Sequence, residues 1–177
     1  MAVTITYFVH GTTTDNEKEI SSGRNDVELS ALGLQQSKDL KKLIDTSAFD
    51  AIFCSDLKRA VESATLTFGD AVTIIKDARL RECNYGDFNG GLSSLVEPLQ
   101  EKAINDPMPN GESYEDVKSR MRDFLDFLVQ KYEGKHIAIV AHKAPQLALD
   151  VLLNGKTWDE AFKEDWRVTK SWQPGWN

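Results

Sequence analysis

The sequence predicts an α/β fold, a single-domain three-layer sandwich with a mainly parallel sheet and helices on both faces. Two patterns carry that expectation: short β-branched or aromatic runs of strand length, and helical stretches that alternate with them. A third observation agrees, because chemically able residues directly follow three of the runs, where such sheets form a ligand crevice.

The strand runs are "VTITYFV" (Val3–Val9), "AIFC" (Ala51–Cys54), "VTIIK" (Val72–Lys76) and "HIAIVA" (His136–Ala141). Helices are expected from Ser30 to about Ile44, Asp56 to Phe68, Ser113 to Tyr132 and Pro145 to Leu153, each with apolar residues at three- and four-residue spacing. Ser113 followed by Asp116 resembles a capping box with the shorter carboxylate. Pro107, Pro109, Asn110 and Gly111 form the most breaker-rich stretch and predict an internal loop rather than a boundary. One domain over residues 1–177 is therefore expected.

Composition bounds the function. The chain has 177 residues, 41% hydrophobic and 28% charged, the proportions of a soluble globular protein. A chain of this length buries roughly 70% of its unfolded surface and needs no disulfide or structural metal. Cys54 and Cys83, without a signal peptide or long apolar segment, are expected as free thiols in a reducing cytoplasm. A net charge of -7 and the lack of any basic run disfavour nucleic acid and anionic membranes as partners. HExxH, CxxC and a clustered Asp pair are all missing, so neither a metal nor a cofactor is expected.

His10, Ser55 with Arg59 one turn on, and His142 stand just beyond three of the strand runs. His136 opens its strand instead, so it belongs to the opposite edge and is expected to be structural. Val9-His10-Gly11-Thr12-Thr13-Thr14-Asp15-Asn16 matches, except at its first position, a motif of Arg-His-Gly, one residue, Thr, two residues and Asn. "SGRNDVELSALGLQQ", "CSDLKRAVESA", "LRECNYGDFNGG" and "IVAHKAP" follow in order. Through these five motifs the chain resembles the histidine phosphatase superfamily, the phosphoglycerate mutase-like proteins, over nearly its whole length.

The resemblance implies a histidine phosphatase-like domain and a metal-independent phosphomonoester hydrolase working through phosphohistidine on a small phosphorylated metabolite. It makes His10 the nucleophile, Glu82 the proton donor to the leaving oxygen, and Arg59 and His142 the groups that grip the phosphoryl oxygens. The residue types suit these tasks: a neutral imidazole attacks phosphorus, and a planar guanidinium donates two parallel hydrogen bonds. Glu82 must be protonated when it acts, so burial or the substrate's charge is expected to raise its pKa; its alternative is a solvated charge paired with Arg79 or Arg81. Gly11 is expected to let the backbone approach the anion, and Thr13 and Asn16 to donate hydrogen bonds or fix the loop. Tyr85 resembles a substrate-contacting tyrosine of the mutase branch and is equally a packing aromatic beside Phe88.

Two departures stand out. Val9 replaces the motif arginine, a charge-assisted donor worth roughly 1.5 to 3 kcal/mol, and also removes one influence that keeps His10 neutral. Lys143 stands where glycine usually follows the second histidine, and it, Arg24 or Arg81 is a candidate to return a cation. Two rivals to a phosphatase stay open: a phosphoglycerate mutase-type phosphotransferase, and a catalytically weak phospholigand-binding protein. Specificity is expected to lie between about Gly90 and Gly111, which shows no basic cluster for a second phosphate; Leu92, Leu95, Val96 and Leu99 there are expected to pack the core. Trp172 and Trp176 in the tail "KSWQPGWN" suggest a docked C-terminus. Oligomeric state is open.

Overall fold

The computed structural model describes residues 2–69 and 72–169. In chain order the elements are β1 (Thr4–Val9), β2 (Ile20–Ser21), α1 (Ala31–Leu43), β3 (Ala51–Cys54), α2 (Lys58–Phe68), β4 (Ile74–Lys76) and β5 (Gly91–Leu92). There follow α3 (Ser93–Gln100), α4 (Tyr114–Lys131), β6 (His136–Ala141), α5 (Lys143–Leu153), α6 (Trp158–Lys163) and α7 (Trp166–Thr169). Four strands form one parallel sheet in the order β1-β6-β3-β4, while β2 and β5 pair as a separate antiparallel ribbon.

Alternation along each strand builds the three layers. Tyr7, Phe53, Ile137, Ile139 and Ala141 face a core with Val117, Met121, Phe124 and Leu128 of α4, Leu147 of α5 and Phe162 of α6. Their neighbours Phe8, Ile52, Cys54, Ala138 and Val140 face the other way, onto Ala64 and Phe68 of α2 and the partly buried Leu40 of α1. A period of two sends alternate side chains to opposite faces, and a strand buried on both faces reads as a continuous apolar run. Parallel, centrally buried β3 and β6 are such runs.

The predicted strands and the four predicted helices are all present, with shifts at their ends. The second helix begins at Lys58 rather than Asp56 because Leu57, in extended backbone, is its N-cap and offers no side-chain acceptor. Asp26 supplies one from a distant loop, accepting from Lys58 N at 2.6 Å. The last predicted helix begins at Lys143, two residues before Pro145, which sits in the first turn where its missing N–H costs nothing. The capping box at Ser113 and Asp116 forms as expected, with both reciprocal hydrogen bonds. The expected core packing holds for Val96 and, partly buried, for Leu99 in α3, but not for Leu92 of β5 or Leu95 of α3, which are 54% and 65% exposed. The ribbon, α6 and α7 were not anticipated. Trp172 and Trp176 lie outside the described residues.

Candidate active site

The parallel register brings the strand-end histidines together. Val9 at the end of β1 is opposite Ala141 at the end of β6, so His10 and His142 leave adjacent strands side by side, their rings 5.0 Å apart and edge-on. The backbone ladder continues one step further, with His10 N donating to Ala141 O at 3.1 Å. Tyr7 latches the second histidine: its hydroxyl donates to His142 O at 2.7 Å and accepts from His142 N at 3.1 Å.

His10 has a defined tautomer. Its Nδ1 lies 2.7 Å from Gly11 O, and a carbonyl oxygen only accepts, so Nδ1 carries the proton. Nε2 is then the lone-pair nitrogen, and Arg59 Nε donates to it at 3.3 Å. Burial, chiefly, and then the Arg59 charge pull the imidazole from 6.5 down to about 3; the Gly11 hydrogen bond opposes this and the Arg167 charge adds to it. The loss of the motif arginine at Val9 therefore does not leave His10 charged. Other cations and desolvation do the same work.

Arg59 is 2% exposed. It is held from two sides, Nη1 donating to Asn25 O at 2.9 Å and Nη2 to Gly23 O at 2.8 Å. Its position on the first turn of α2, beyond the carboxyl end of β3, turns it back across the crevice. Ser55, by contrast, is a turn residue: it is fully buried and its hydroxyl accepts from Leu57 N.

His142 is fully buried, and neither ring nitrogen has a hydrogen-bond partner among the described residues. Burial, the Arg59 charge and His10 hold it well below 6.5. Glu82, 7% exposed, reaches the start of α5 from the loop after Leu80. Its Oε1 accepts from Cys83 N at 2.8 Å and Ala144 N at 3.0 Å, and Oε2 from Lys143 N at 3.2 Å. His142, the N-cap of that helix, gives no side-chain cap, so Glu82 takes that place and is fixed beside the histidine pair. It is paired with neither Arg79 nor Arg81, whose partners are Asp77 and Asp56.

These groups open on a cavity of about 930 Å³, lined by His10, Thr13, Asn16, Arg59, Glu82, Tyr85 and Lys143 together with Val9. Gly11 lines it too, but its hydrogen takes the place of a Cβ that would meet Gly33 O at 2.6 Å, and its N–H donates to Ser63 Oγ at 2.9 Å. The glycine thus allows close backbone packing against α1 at the cavity wall. Gly33 is its counterpart, with a Cβ position only 2.0 Å from Thr12 O. Thr13 and Asn16 fix the loop: Asn16 Oδ1 accepts from Thr13 N and Thr13 Oγ1 from Asn16 N, both at 3.0 Å. Tyr85 is buried, with Gln100 Nε2 donating to its hydroxyl at 3.1 Å.

Of the proposed replacement cations, Arg24 is bound to Glu82 O and Glu112, and Arg81 to Asp56. Neither lines the cavity. Lys143 does, but its ammonium donates to Gln100 Oε1 at 3.1 Å and stands 3.8 Å from Asp165 Oδ2. Gln36, from the "SGRNDVELSALGLQQ" motif, supports the loop, its Oε1 accepting from Thr12 N and Oγ1 at 2.9 Å each; two further supporting residues carried no motif signal, Ser63 under Gly11 and Glu112, which ties Arg24, Arg120 and Asn84 N around the Glu82 loop. Asp165 and Arg167 on the cavity wall were missed as well. His136 is structural as expected, hydrogen-bonded through Nε2 to Thr6 Oγ1 at the far end of the sheet. Cys54 and Cys83 are free and buried, and burial raises both thiols, Cys54 to about 11.

A neutral imidazole with its lone pair on a cavity wall, a guanidinium beside it and a buried glutamate nearby make a histidine-centred site in an α/β fold. The chain belongs to the histidine phosphatase superfamily (branch 1), whose model it matches over residues 7–171. It is 32% identical over 156 residues to a Hydrogenobacter thermophilus protein named as a phosphoserine phosphatase, covering 82% of this chain and 76% of that one. It is 31% identical to the fructose-2,6-bisphosphatase TIGAR of Xenopus tropicalis, covering 70% of this chain but 49% of TIGAR, about half its length. Among solved structures, the mycobacterial glucosyl-3-phosphoglycerate phosphatase in complex with VO3 superposes with a TM-score of 0.78 at 26% identity, covering 89% of this chain and 84% of that one.

Proposed function

We propose that this protein is a metal-independent phosphomonoester hydrolase that works through a phosphohistidine on His10. One observation carries the reading: the Nδ1 proton is anchored on Gly11 O, so Nε2 is a lone-pair nitrogen on the cavity wall, in an imidazole held neutral down to about 3. In the first step Nε2 attacks phosphorus and the ester oxygen leaves with a proton from Glu82. In the second, water attacks the phosphohistidine, Glu82 takes up its proton and Nε2 is freed, so one hard displacement becomes two easier ones. The incoming phosphoryl group adds negative charge near Glu82, the influence that favours its protonated form. Arg59 and His142 donate to the phosphoryl oxygens.

The substrate is a small metabolite with one phosphate. Of the stretch Gly90 to Gly111 the cavity wall takes Gln100, Ser93 and Glu97, and the lining cations are Arg59, Lys143 and Arg167. All three sit with the histidine pair or the α5 to α7 end, leaving the ribbon side without a cation for a second phosphate group. This favours monophosphates over the bisphosphate in TIGAR's name. No described helix is long and apolar enough to cross a membrane; action in the cytoplasm and a single domain over residues 1–177 are parts of the same proposal.

The test is acid-free quenching during turnover of a phosphomonoester, which is expected to trap phosphate on His10 of the wild type and none in His10→Ala. Chelator is expected to leave the rate unchanged, and an isotopically chiral phosphate to be transferred with retention. Inversion at phosphorus means a single displacement and rejects the intermediate.

A further inference from the structure

Val9 ends β1 as an apolar side chain on the cavity wall, packed against the larger core, at the position where the motif otherwise places a guanidinium. A different guanidinium reaches the same cavity. Arg167, in the short helix α7, lines it together with Asp165 and Trp166. Asp165, with a side chain only 1% exposed, holds Arg167 Nη1 at 2.7 Å. Gln146 Oε1 accepts from the same nitrogen at 3.3 Å, and Gln146 sits one turn into α5, its N–H donating to His142 O. Behind the guanidinium lies the Trp166 ring, 4.5 Å from Cζ. Two acceptors and a stacking surface therefore fix the plane of the fork.

That anchoring uses one side of the fork. Nη2 is buried and has no hydrogen-bond partner among the described residues. A buried guanidinium nitrogen without an acceptor is costly, and such groups in native proteins call for an explanation. Both ring nitrogens of His142, whose ring lies 5.0 Å from that of His10, likewise have no hydrogen-bond partner among the described residues. We propose that Arg167 supplies, from the other end of the chain, the phosphate-gripping guanidinium that Val9 withholds, a reading that rests on the phosphatase function above. Its charge already acts on the nucleophile, as one of the cations that keep His10 neutral. Lys143 does not fill the role: it is engaged by Gln100 and faces Asp165, and an ammonium lacks the planar fork that matches a phosphoryl group.

The experiment is calorimetric titration of inorganic phosphate and vanadate into wild type, Arg167→Ala, Arg167→Lys, Val9→Arg and Val9→Arg/Arg167→Ala. Arg167→Ala is expected to weaken phosphate about tenfold or more and Arg167→Lys by several-fold, the loss of one charge-assisted donor and of its geometry. Val9→Arg is expected to restore most of that loss in the Arg167→Ala background and to gain little in the wild type, so that the two sites couple in the double-mutant cycle. Thermal unfolding of each variant separates a collapsed C-terminal turn from a lost ligand, and restoration by Val9→Arg cannot arise from a repaired turn. Phosphate affinity within twofold of wild type in folded Arg167→Ala overturns the proposal, as does tighter binding, which makes Arg167 an obstruction. A His10→Ala protein that still turns over phosphomonoesters instead overturns the phosphatase reading, and this proposal with it.

Discussion

His10 and His142 end neighbouring parallel strands one residue beyond paired positions, yet their surroundings differ in kind. His10 is partly exposed to the cavity with both nitrogens engaged, one on Gly11 O and one by Arg59. His142 is fully enclosed, its backbone latched by Tyr7 and its ring unpartnered among the described residues. Both are held neutral by burial and by Arg59. Under the proposed mechanism the difference separates the nucleophile, which needs a fixed tautomer and a lone pair facing the cavity, from a donor, which needs an N–H that no protein group has claimed. A buried ring with no partner is a cost to the fold, and in the proposed mechanism the bound phosphoryl group offsets it.

The largest expected effect breaks the first side of the comparison. His10→Ala removes the proposed nucleophile and is expected to lower kcat by at least about a thousandfold, on the scale seen for covalent catalysts, with phosphate affinity far less affected. Steady-state kinetics and phosphate titration on the same preparation check the split. A comparable loss of binding places His10 among the anion ligands instead.

His142→Phe breaks the second side and separates function from stability. It is expected to cost about a hundredfold in kcat/KM, the order lost with one transition-state donor, while the fold gains or holds stability because a buried unsatisfied ring is replaced by an apolar one of similar shape. Denaturant unfolding measures that gain. A clear loss of stability means the imidazole has a structural partner.

Glu82→Gln sharpens the comparison by asking which leaving groups need help. Alkyl phosphates are expected to slow about a hundredfold and aryl phosphates only a few-fold, since a proton matters where the leaving oxygen is strongly basic. A plot of log kcat against leaving-group pKa reads this directly, and an equal loss on both classes removes Glu82 from the acid role.

The pH dependence of stability reports both histidines together. Their folded values lie below 6.5, His10 at about 3, so between those limits the unfolded chain binds more protons than the folded one. Stability is therefore intact above about 6.5 and falls as pH drops through that value, by up to about 1.4 kcal/mol per pH unit for each histidine. His142→Phe is expected to make the acid-side slope shallower. The smallest effect is that of Ser63→Ala, which leaves Gly11 N–H without its acceptor and is expected to cost about 1 kcal/mol and a few-fold in kcat/KM.

Strand and helix placement was legible because local pattern dominates there. "HIAIVA" and "AIFC" are continuous apolar runs because β6 and β3 are covered on both faces, and the Ser113 cap is read from four adjacent residues. His10, Arg59, Glu82 and His142 were found through motifs and are gathered by the fold. Less legible were the places where one residue serves several segments. Nothing local shows that Gly11 must also pack against Gly33, and Leu95 has core spacing on a helix that buries only one side.

By itself, then, the sequence determined the alternation of strands and helices, the presence of able side chains at strand ends and the loss of a guanidinium at Val9, since each is encoded within a few neighbouring residues. Tertiary structure alone decided that β1 and β6 are neighbours, that Glu82 caps α5, and that Arg167 stands over the cavity with Val9 in its wall. Those are contacts between residues tens to more than a hundred positions apart, and what selects them is the shared burial of apolar faces, which no local pattern records.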